Sequence, residues 1–218
     1  MRKLTLTALL LIAPMLAPLA RADDVSVDIH LGSYPRLVAV PGYPVYYDPY
    51  IRANYFFYDG LYWVYSGDNW YESHWYNGPW HYARPDYVPL YVLRVPVRYY
   101  RVPPPYFAHW RRDEPPRWDE HWGHDWQAHH DGWNHWDHHA TPAPAPLPDY
   151  QRHYAGAHYP VAEVDQHTLR QQNYHYEPRE EATRERWQEQ ESKKEQRHED
   201  EYSQHQQHRE GHDEHGDQ

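Results

Sequence analysis

The chain has 218 residues, a formal net charge of −11 at neutral pH and no cysteine. The absence of cysteine excludes disulfides, thiol catalysis and cysteine metal ligands. A chain this acidic repels phosphate backbones, so nucleic acid is not an expected partner.

The first 22 residues have the three parts of a secretory signal peptide. Arg2 and Lys3 form a positive region, residues 4–19 are mostly apolar, and Ala20-Arg21-Ala22 provides a small-x-small cleavage pattern. The apolar run contains prolines and is shorter than the about 20 residues of a membrane helix, so a membrane anchor is the less favoured alternative. The pattern predicts cleavage after Ala22 and a periplasmic or secreted chain with no integral membrane span.

Export would change the charge of the chain. Losing Arg2, Lys3 and Arg21 leaves 18 basic and 32 acidic groups, a formal charge of −14. All 20 histidines lie in the exported part, and protonating every one would bring the charge to +6. This reversal is expected near the free imidazole pKa of about 6.5.

Composition divides the predicted exported chain into four segments. Residues 23–108 hold most of the tyrosines and β-branched residues, and residues 109–139 are rich in His, Trp and Asp. Residues 140–148 read ATPAPAPLP, typical of a semi-rigid extended linker. Residues 149–218 are mostly Gln, Glu, Arg and His, so we expect a polar tail that is disordered or a single loose helix.

The first segment predicts a small antiparallel meander or partly open barrel, mainly β. Apolar residues alternate with polar ones over residues 25–31, and Asp59-Gly60 separates the aromatic runs 54–58 and 61–65. Asp-Gly accepts the positive φ angles of a type I′ turn, which makes this the clearest hairpin in the chain. Such a domain buries a modest core, and oligomerisation or a bound ligand could add burial.

The meander is expected to continue beyond that hairpin. Turns are predicted at residues 66–69 and 77–79, with strands at 70–76 and 80–82. A last strand is predicted at residues 90–102, where Pro96 would place it at a sheet edge or a bulge.

Two aromatic stretches resemble a repeat family. Residues 75–80, WYNGPW, fit the spacing WxxGxW, and residues 63–70, WVYSGDNW, are a looser relative. With the signal peptide, residues 54–82 resemble poorly characterised bacterial exported proteins with WxxGxW and YxWxxGxW repeats, although Ser73 replaces the first Tyr of the longer form. That family has no established activity, so the resemblance implies shared architecture only. The stretch is also faintly similar to choline- or glucan-binding repeats.

Exposed aromatic rings could bind sugar rings or quaternary ammonium groups. The candidate surface consists of Trp63, Trp70, Tyr71, Trp75 and Trp80. The alternative is that these rings form the core, because the domain contains little Leu or Ile.

The His/Trp-rich segment predicts an amphipathic helix over residues 116–139. Its tryptophans fall on one side of a helical wheel and most of its histidines on the other. Gly123 and Gly132 weaken this prediction, since each costs about 1 kcal/mol relative to Ala in a helix.

Histidine spacing in the same segment suggests weak or multi-ion binding of Ni, Cu or Zn. The candidate ligands are His121, His124, Asp125, His135, His138 and His139. The two histidine pairs lie too far apart on one helix to share an ion. Adventitious binding is therefore the alternative.

No catalytic motif stands out, so we expect a non-enzymatic protein. The favoured hypothesis is an exported binding or structural protein of the bacterial cell envelope, with an envelope polymer or protein as its partner. Periplasmic buffering of divalent metals by the histidine-rich segments is the alternative, and peripheral membrane attachment through the tryptophans is a third.

Overall fold

The computed structural model describes residues 29–181, 183–185, 188 and 192. The predicted signal peptide, the strand positions Val25 and Val27, and most of the chain after residue 185 lie outside these residues. Within the described part, no helix combines the length and the apolar character that crossing a membrane requires.

Six strands form one antiparallel sheet whose spatial order follows the sequence. The strands are β1 (Val38–Ala39), β2 (Tyr46–Tyr47), β3 (Asn54–Tyr58), β4 (Leu61–Ser66), β5 (Asn69–Ser73) and β6 (His81–Ala83). Because β1 and β6 are the two edges, the sheet is not closed into a barrel. The predicted antiparallel meander, mainly β, is confirmed.

Two tight turns build the centre of the sheet. Between β3 and β4, Asp59 and Gly60 have φ angles of 50° and 89°; between β4 and β5, Gly67 and Asp68 have φ angles of 55° and 68°. Two successive positive φ angles define the type I′ turn, whose twist matches that of the flanking strands. Both predicted hairpins are confirmed.

The loop between β5 and β6 contains the WYNGPW motif. Gly78 has a φ of 86°, and a Cβ added there would lie 3.0 Å from Cδ1 of Trp80. Trp75 is fully buried, and its indole N–H donates to the carbonyl of Gln166 at 3.1 Å. The glycine of the motif is therefore required by backbone conformation and by space, and Trp75 fastens the loop to a later helix.

Alternate side chains of the sheet pack into two apolar clusters. On the first face, Phe56, Trp63 and Trp70 pack against buried side chains from residues 88–133. On the second face, Tyr55 and Tyr62 pack with side chains from residues 29–37 and 145–176. Because both faces are covered, all five residues of β3 are buried. When both faces of a strand are covered, its sequence is a continuous run of apolar or aromatic residues and does not alternate with polar ones.

The prediction of a strand at residues 90–102 is wrong. This stretch contains helix α1 (Leu90–Leu93) and a 3-10 helix (Val97–Tyr99). Pro89 precedes α1, where a missing N–H costs nothing, and Pro96 lacks the N–H that a strand ladder needs. Val92, Leu93, Val95 and Val97 all pack in the core of the first face, so the burial does not follow the predicted alternation.

The described end of the first predicted strand, Ile29 to Leu31, is also not in a strand. The amide of Leu31 donates to Oδ1 of Asn77 at 2.7 Å, so this segment is fixed by a loop rather than by a sheet edge. Ile29 and Leu31 pack against the second face.

The single helix predicted over residues 116–139 is replaced by two short ones, α2 (Trp118–Trp122) and α3 (His124–His129). Gly123, with a φ of 84°, separates them, and Gly132, with a φ of 71°, lies in a following turn. Both glycines adopt a left-handed conformation that an α-helix cannot contain. The tryptophan side still faces inward, since Trp118, Trp126 and Trp133 are buried in the first cluster.

The predicted linker packs against the rest of the molecule. Ala145 is buried, and the Tyr174 hydroxyl donates to the carbonyl of Pro146 at 2.7 Å. Residues 149–181, which the sequence assigns to an unpacked tail, follow the second face through 3-10 helices and helix α4 (Glu163–Asn173). Further 3-10 helices span Pro85–Tyr87, Pro105–His109, His138–Ala140, Asp149–His153 and Gly156–His158.

Gln151 shows how the second face holds this segment. Its side chain is fully buried, and its Oε1 accepts from the Tyr62 hydroxyl at 3.0 Å and the Tyr76 amide at 3.2 Å. Its Nε2 donates to the carbonyl of His74 at 2.9 Å. A polar residue can be buried here because each of these bonds satisfies a group of the sheet or its loop.

Candidate ligand-binding groove

A groove of about 510 Å³ opens beside the turn between β4 and β5. It is lined by Ile29, residues 52–54, residues 65–68 and residues 102–106. Its volume lies within the roughly 300–1,000 Å³ of small-molecule sites. We refer to it as the Asp68 groove.

The type I′ turn places Asp68 at the edge of the groove. Aspartate is one of the few non-glycine residues that adopt a positive φ readily, so the turn itself presents a carboxylate. Oδ1 of Asp68 accepts hydrogen bonds from the hydroxyls of Tyr65 and Tyr106, each at 2.7 Å. Tyr65 comes from the end of β4, and Tyr106 from the 3-10 helix at residues 105–109.

A histidine from α2 completes the cluster. Nε2 of His121 lies 3.1 Å from the same Oδ1 of Asp68. The imidazole stacks on the Tyr106 ring, with centroids 4.5 Å apart and planes 13° from parallel. Two hydroxyls and one imidazole, from three elements, therefore converge on one carboxylate oxygen.

The second oxygen of this carboxylate is available to a ligand. In the described part of the chain, no hydrogen bond reaches Oδ2 of Asp68, and the side chain is 57% exposed. Because two hydroxyls donate to Oδ1 and the His121 ring lies beside it, the orientation of Oδ2 is fixed before any ligand arrives. A preorganised acceptor loses little entropy on binding.

The charge state of the cluster follows from its contacts. Burial raises the pKa of Asp68, but the hydrogen bonds from Tyr65 and Tyr106 and the nearby His121 outweigh this effect and leave the pKa below its usual value. Burial and the carboxylate raise the pKa values of Tyr65 and Tyr106 well above 10. At neutral pH, Asp68 is therefore an anionic acceptor and the tyrosines are neutral donors.

Asn54 holds the two walls of the groove together. Its Nδ2 donates to the carbonyls of Tyr65 at 3.1 Å and Val102 at 2.7 Å, and its Oδ1 accepts from the Val102 amide at 2.9 Å. The side chain is buried, so these bonds do not compete with water. Residues 103–105 are three prolines with restricted φ, which stiffens the adjoining wall.

The groove also contains a positive group. Arg52 lines it and is exposed, and it forms no ion pair with any residue that the structure describes. The groove thus offers a carboxylate acceptor, a guanidinium donor and an apolar wall formed by Ile29, Val102 and the prolines. This combination suits an uncharged ligand with several hydroxyl groups better than a strongly charged one.

The predicted aromatic surface is mostly inside the protein. Trp63, Trp70, Tyr71 and Trp75 are each at most 3% exposed, and Trp80 is half-buried against the second face. The first two belong to the cluster of the first face. These rings match the alternative that the sequence left open, in which the tryptophans form the core, and they present no continuous surface to a ligand.

The predicted metal ligands are dispersed. Only His121 contacts Asp68, the carboxylate at the β4–β5 turn. The other candidates, namely His124, Asp125, His135, His138 and His139, are exposed. Across the described residues, no three His, Cys, Asp or Glu side chains come close enough together to hold a metal ion. Histidines in the undescribed C-terminal part are outside this comparison.

Sequence reasoning missed most residues of the groove. The histidine spacing predicts His121 as a metal ligand, and the sequence places Asp68 only in a turn. The local signal for Asp68 was its position in a Gly-Asp turn that ends an aromatic strand. Nothing local indicates Arg52, which lines the same groove, or Tyr106, whose hydroxyl reaches Asp68 only through the fold.

No protein-family model, curated protein or solved structure matches this chain.

Proposed function

We propose that this protein is an exported, non-enzymatic binding protein of the bacterial cell envelope, and that the Asp68 groove is its ligand-binding site. The export signal at Ala20-Arg21-Ala22 supports the location. The groove supports binding because it combines an open volume with a few fixed polar groups, the usual composition of a ligand site. A cell-envelope polymer remains the expected partner.

One observation carries the proposal. The hydroxyls of Tyr65 and Tyr106 and the imidazole of His121 converge on Oδ1 of Asp68 from three elements. Asp68 also lines a groove of about 510 Å³, and no hydrogen bond from the described residues reaches its Oδ2. A carboxylate needed only for stability would gain from using both oxygens internally. Asp59 is the contrast in this same protein, since it is 3% exposed and both of its oxygens accept hydrogen bonds.

Co-sedimentation with insoluble envelope fragments tests the proposal. We expect the purified chain to sediment with the fragments and Asp68→Asn to bind at least tenfold more weakly. Asparagine tolerates the same positive φ and retains one acceptor oxygen for the tyrosines, but it replaces the open oxygen with an NH2 donor. The fold should therefore survive, which urea denaturation checks.

Asp86→Asn is the matched control. Asp86 is exposed, pairs with Arg84 at 3.2 Å and lies outside the groove, so its variant makes the same change in net charge. The control should bind like the wild-type chain. If the wild-type chain does not sediment, or if both variants lose binding equally, the groove is not the binding site.

A further inference from the structure

We infer that the Asp68 groove takes an uncharged, hydroxyl-rich chain, that is, a neutral glycan. This inference rests on the proposed function, because it names the ligand class of the same site. It depends on three features of the groove: the pair of opposite charges, the apolar wall and the charge of the whole chain.

Opposite charges in one groove select against a ligand of single sign. An anionic ligand would meet the Asp68 carboxylate, and a cationic ligand would meet the Arg52 guanidinium. A hydroxyl group both donates and accepts hydrogen bonds, so neighbouring hydroxyls can donate to Oδ2 of Asp68 and accept from Arg52. Hydrogen bonds in which one partner is charged are stronger than hydrogen bonds between two neutral groups.

Part of the groove lining is apolar and stiff. It is formed by Val102, which is 52% exposed, and by the three prolines that follow it. The C–H faces of a sugar ring are apolar, so one side of a ring can pack on this wall while its hydroxyls reach the polar side. An open groove lined by both polar and apolar residues fits a chain of rings better than a compact ion.

The charge of the whole chain opposes anionic polymers at longer range. The predicted exported chain carries a formal charge of −14 when histidine is neutral, and such a field lowers the local concentration of polyanions. The same negative field would attract polycations at long range. Within the groove, the positive charge of Arg52 disfavours them. A comparison of neutral, cationic and anionic ligands of equal length therefore separates the possibilities.

Isothermal titration calorimetry of the full purified chain provides the test, at pH 7 and physiological salt. The neutral probes are the hexasaccharides of α-1,4-glucose, β-1,4-glucose and β-1,4-N-acetylglucosamine. The charged probes are the β-1,4-glucosamine and α-1,4-galacturonic acid hexamers. We expect at least one neutral probe to bind at least tenfold more tightly than both charged ones, and Asp68→Asn and Arg52→Gln each to weaken it at least tenfold.

Two results would overturn the inference. The first is tighter Asp68-dependent binding of the glucosamine or galacturonate hexamer, which would make this an ion-binding site. The second is the absence of binding by all three neutral probes while Asp68→Asn still abolishes sedimentation with envelope fragments. In that case the groove remains a binding site and the ligand class is wrong. If sedimentation also fails to depend on Asp68, the proposed function itself is refuted.

Discussion

Asp59 connects the central hairpin to the C-terminal part of the described chain. It is 3% exposed and accepts hydrogen bonds from the Tyr176 hydroxyl at 2.6 Å, from the Arg179 amide at 3.0 Å and from the Glu180 amide at 2.9 Å. The amides of Arg179 and Glu180 precede a helical turn, since the Arg184 amide donates to the carbonyl of Glu180. Asp59 therefore acts as an N-cap supplied by a distant turn.

Asp59→Asn removes this cap while keeping the turn. Asparagine also adopts the positive φ of Asp59, but its NH2 group would face amide donors instead of accepting from them. A hydrogen bond to a charged group contributes about 1.5–3 kcal/mol, and an N-cap about 0.5–2 kcal/mol. Because these bonds share one carboxylate and are not additive, we expect a loss of about 2–4 kcal/mol in the free energy of unfolding.

Urea denaturation measures the loss, and hydrogen exchange locates it. Protection of the amides of Arg179 and Glu180 should fall most in Asp59→Asn, because these are the capped groups. The control Asp86→Asn should change the free energy of unfolding by less than about 0.5 kcal/mol, since Asp86 is a surface residue. A loss of under about 0.5 kcal/mol in Asp59→Asn, or unchanged protection at residues 179–180, would refute the capping role.

Three further predictions compare two variants with each other, or one variant with the wild type at several pH values. Trp75 and Trp63 are both fully buried. Of these two, only Trp75 has a described hydrogen-bond partner for its indole N–H, so Trp75→Phe should lower the free energy of unfolding in urea by about 1–2 kcal/mol more than Trp63→Phe. Equal losses would contradict this prediction. Gly78→Ala should lower the melting temperature more than Gly67→Ala, because both positions have positive φ but only Gly78 lies against an indole ring; the reverse order would contradict the packing at Gly78. Burial raises the pKa of Glu180 above 4.5, so its contribution to stability is full below that pH and is lost as pH rises through the raised pKa. The free energy of unfolding of Glu180→Gln relative to wild type, from urea curves at about pH 4, 5.5 and 7, should therefore increase with pH; a constant difference would refute it.

The parts of the fold that the sequence predicts are those determined by neighbouring residues. The Asp59-Gly60 turn between two aromatic runs predicts β3, β4 and their register, because the positive φ angles and the strand pairing are local properties. The low helix propensity of glycine predicts a weak point at Gly123, and this is where the helix breaks.

The failures have a common physical cause. At residues 90–102, Pro89 and Pro96 favour short helices, and residues 92–97 are all buried instead of alternating as a strand would. The packing of residues 149–181 depends on bonds such as those of Gln151 to Tyr62 and Tyr76, which are 89 and 75 residues away in sequence. Local polarity predicts solvent exposure for such a segment, and only the tertiary partners reverse it.

The groove illustrates the same limit for function. Asp68, Tyr106 and His121 meet through three elements, and their spacing in sequence carries no catalytic or binding motif. The abundance of aromatic residues predicts an aromatic binding surface, but four of its five side chains, namely Trp63, Trp70, Tyr71 and Trp75, are buried. In this aromatic-rich domain, most of the aromatic residues fill the core, and the accessible polar residues form the candidate site.

Chemical-shift mapping of the 15N-labelled chain tests the central claim most directly. When solubilised envelope polysaccharide is added, the largest amide shifts are expected at residues 52–54, 65–68 and 102–106, and they should disappear in Asp68→Asn. Largest shifts outside these three segments, or shifts that persist unchanged in Asp68→Asn, would contradict the assignment of the groove as the binding site.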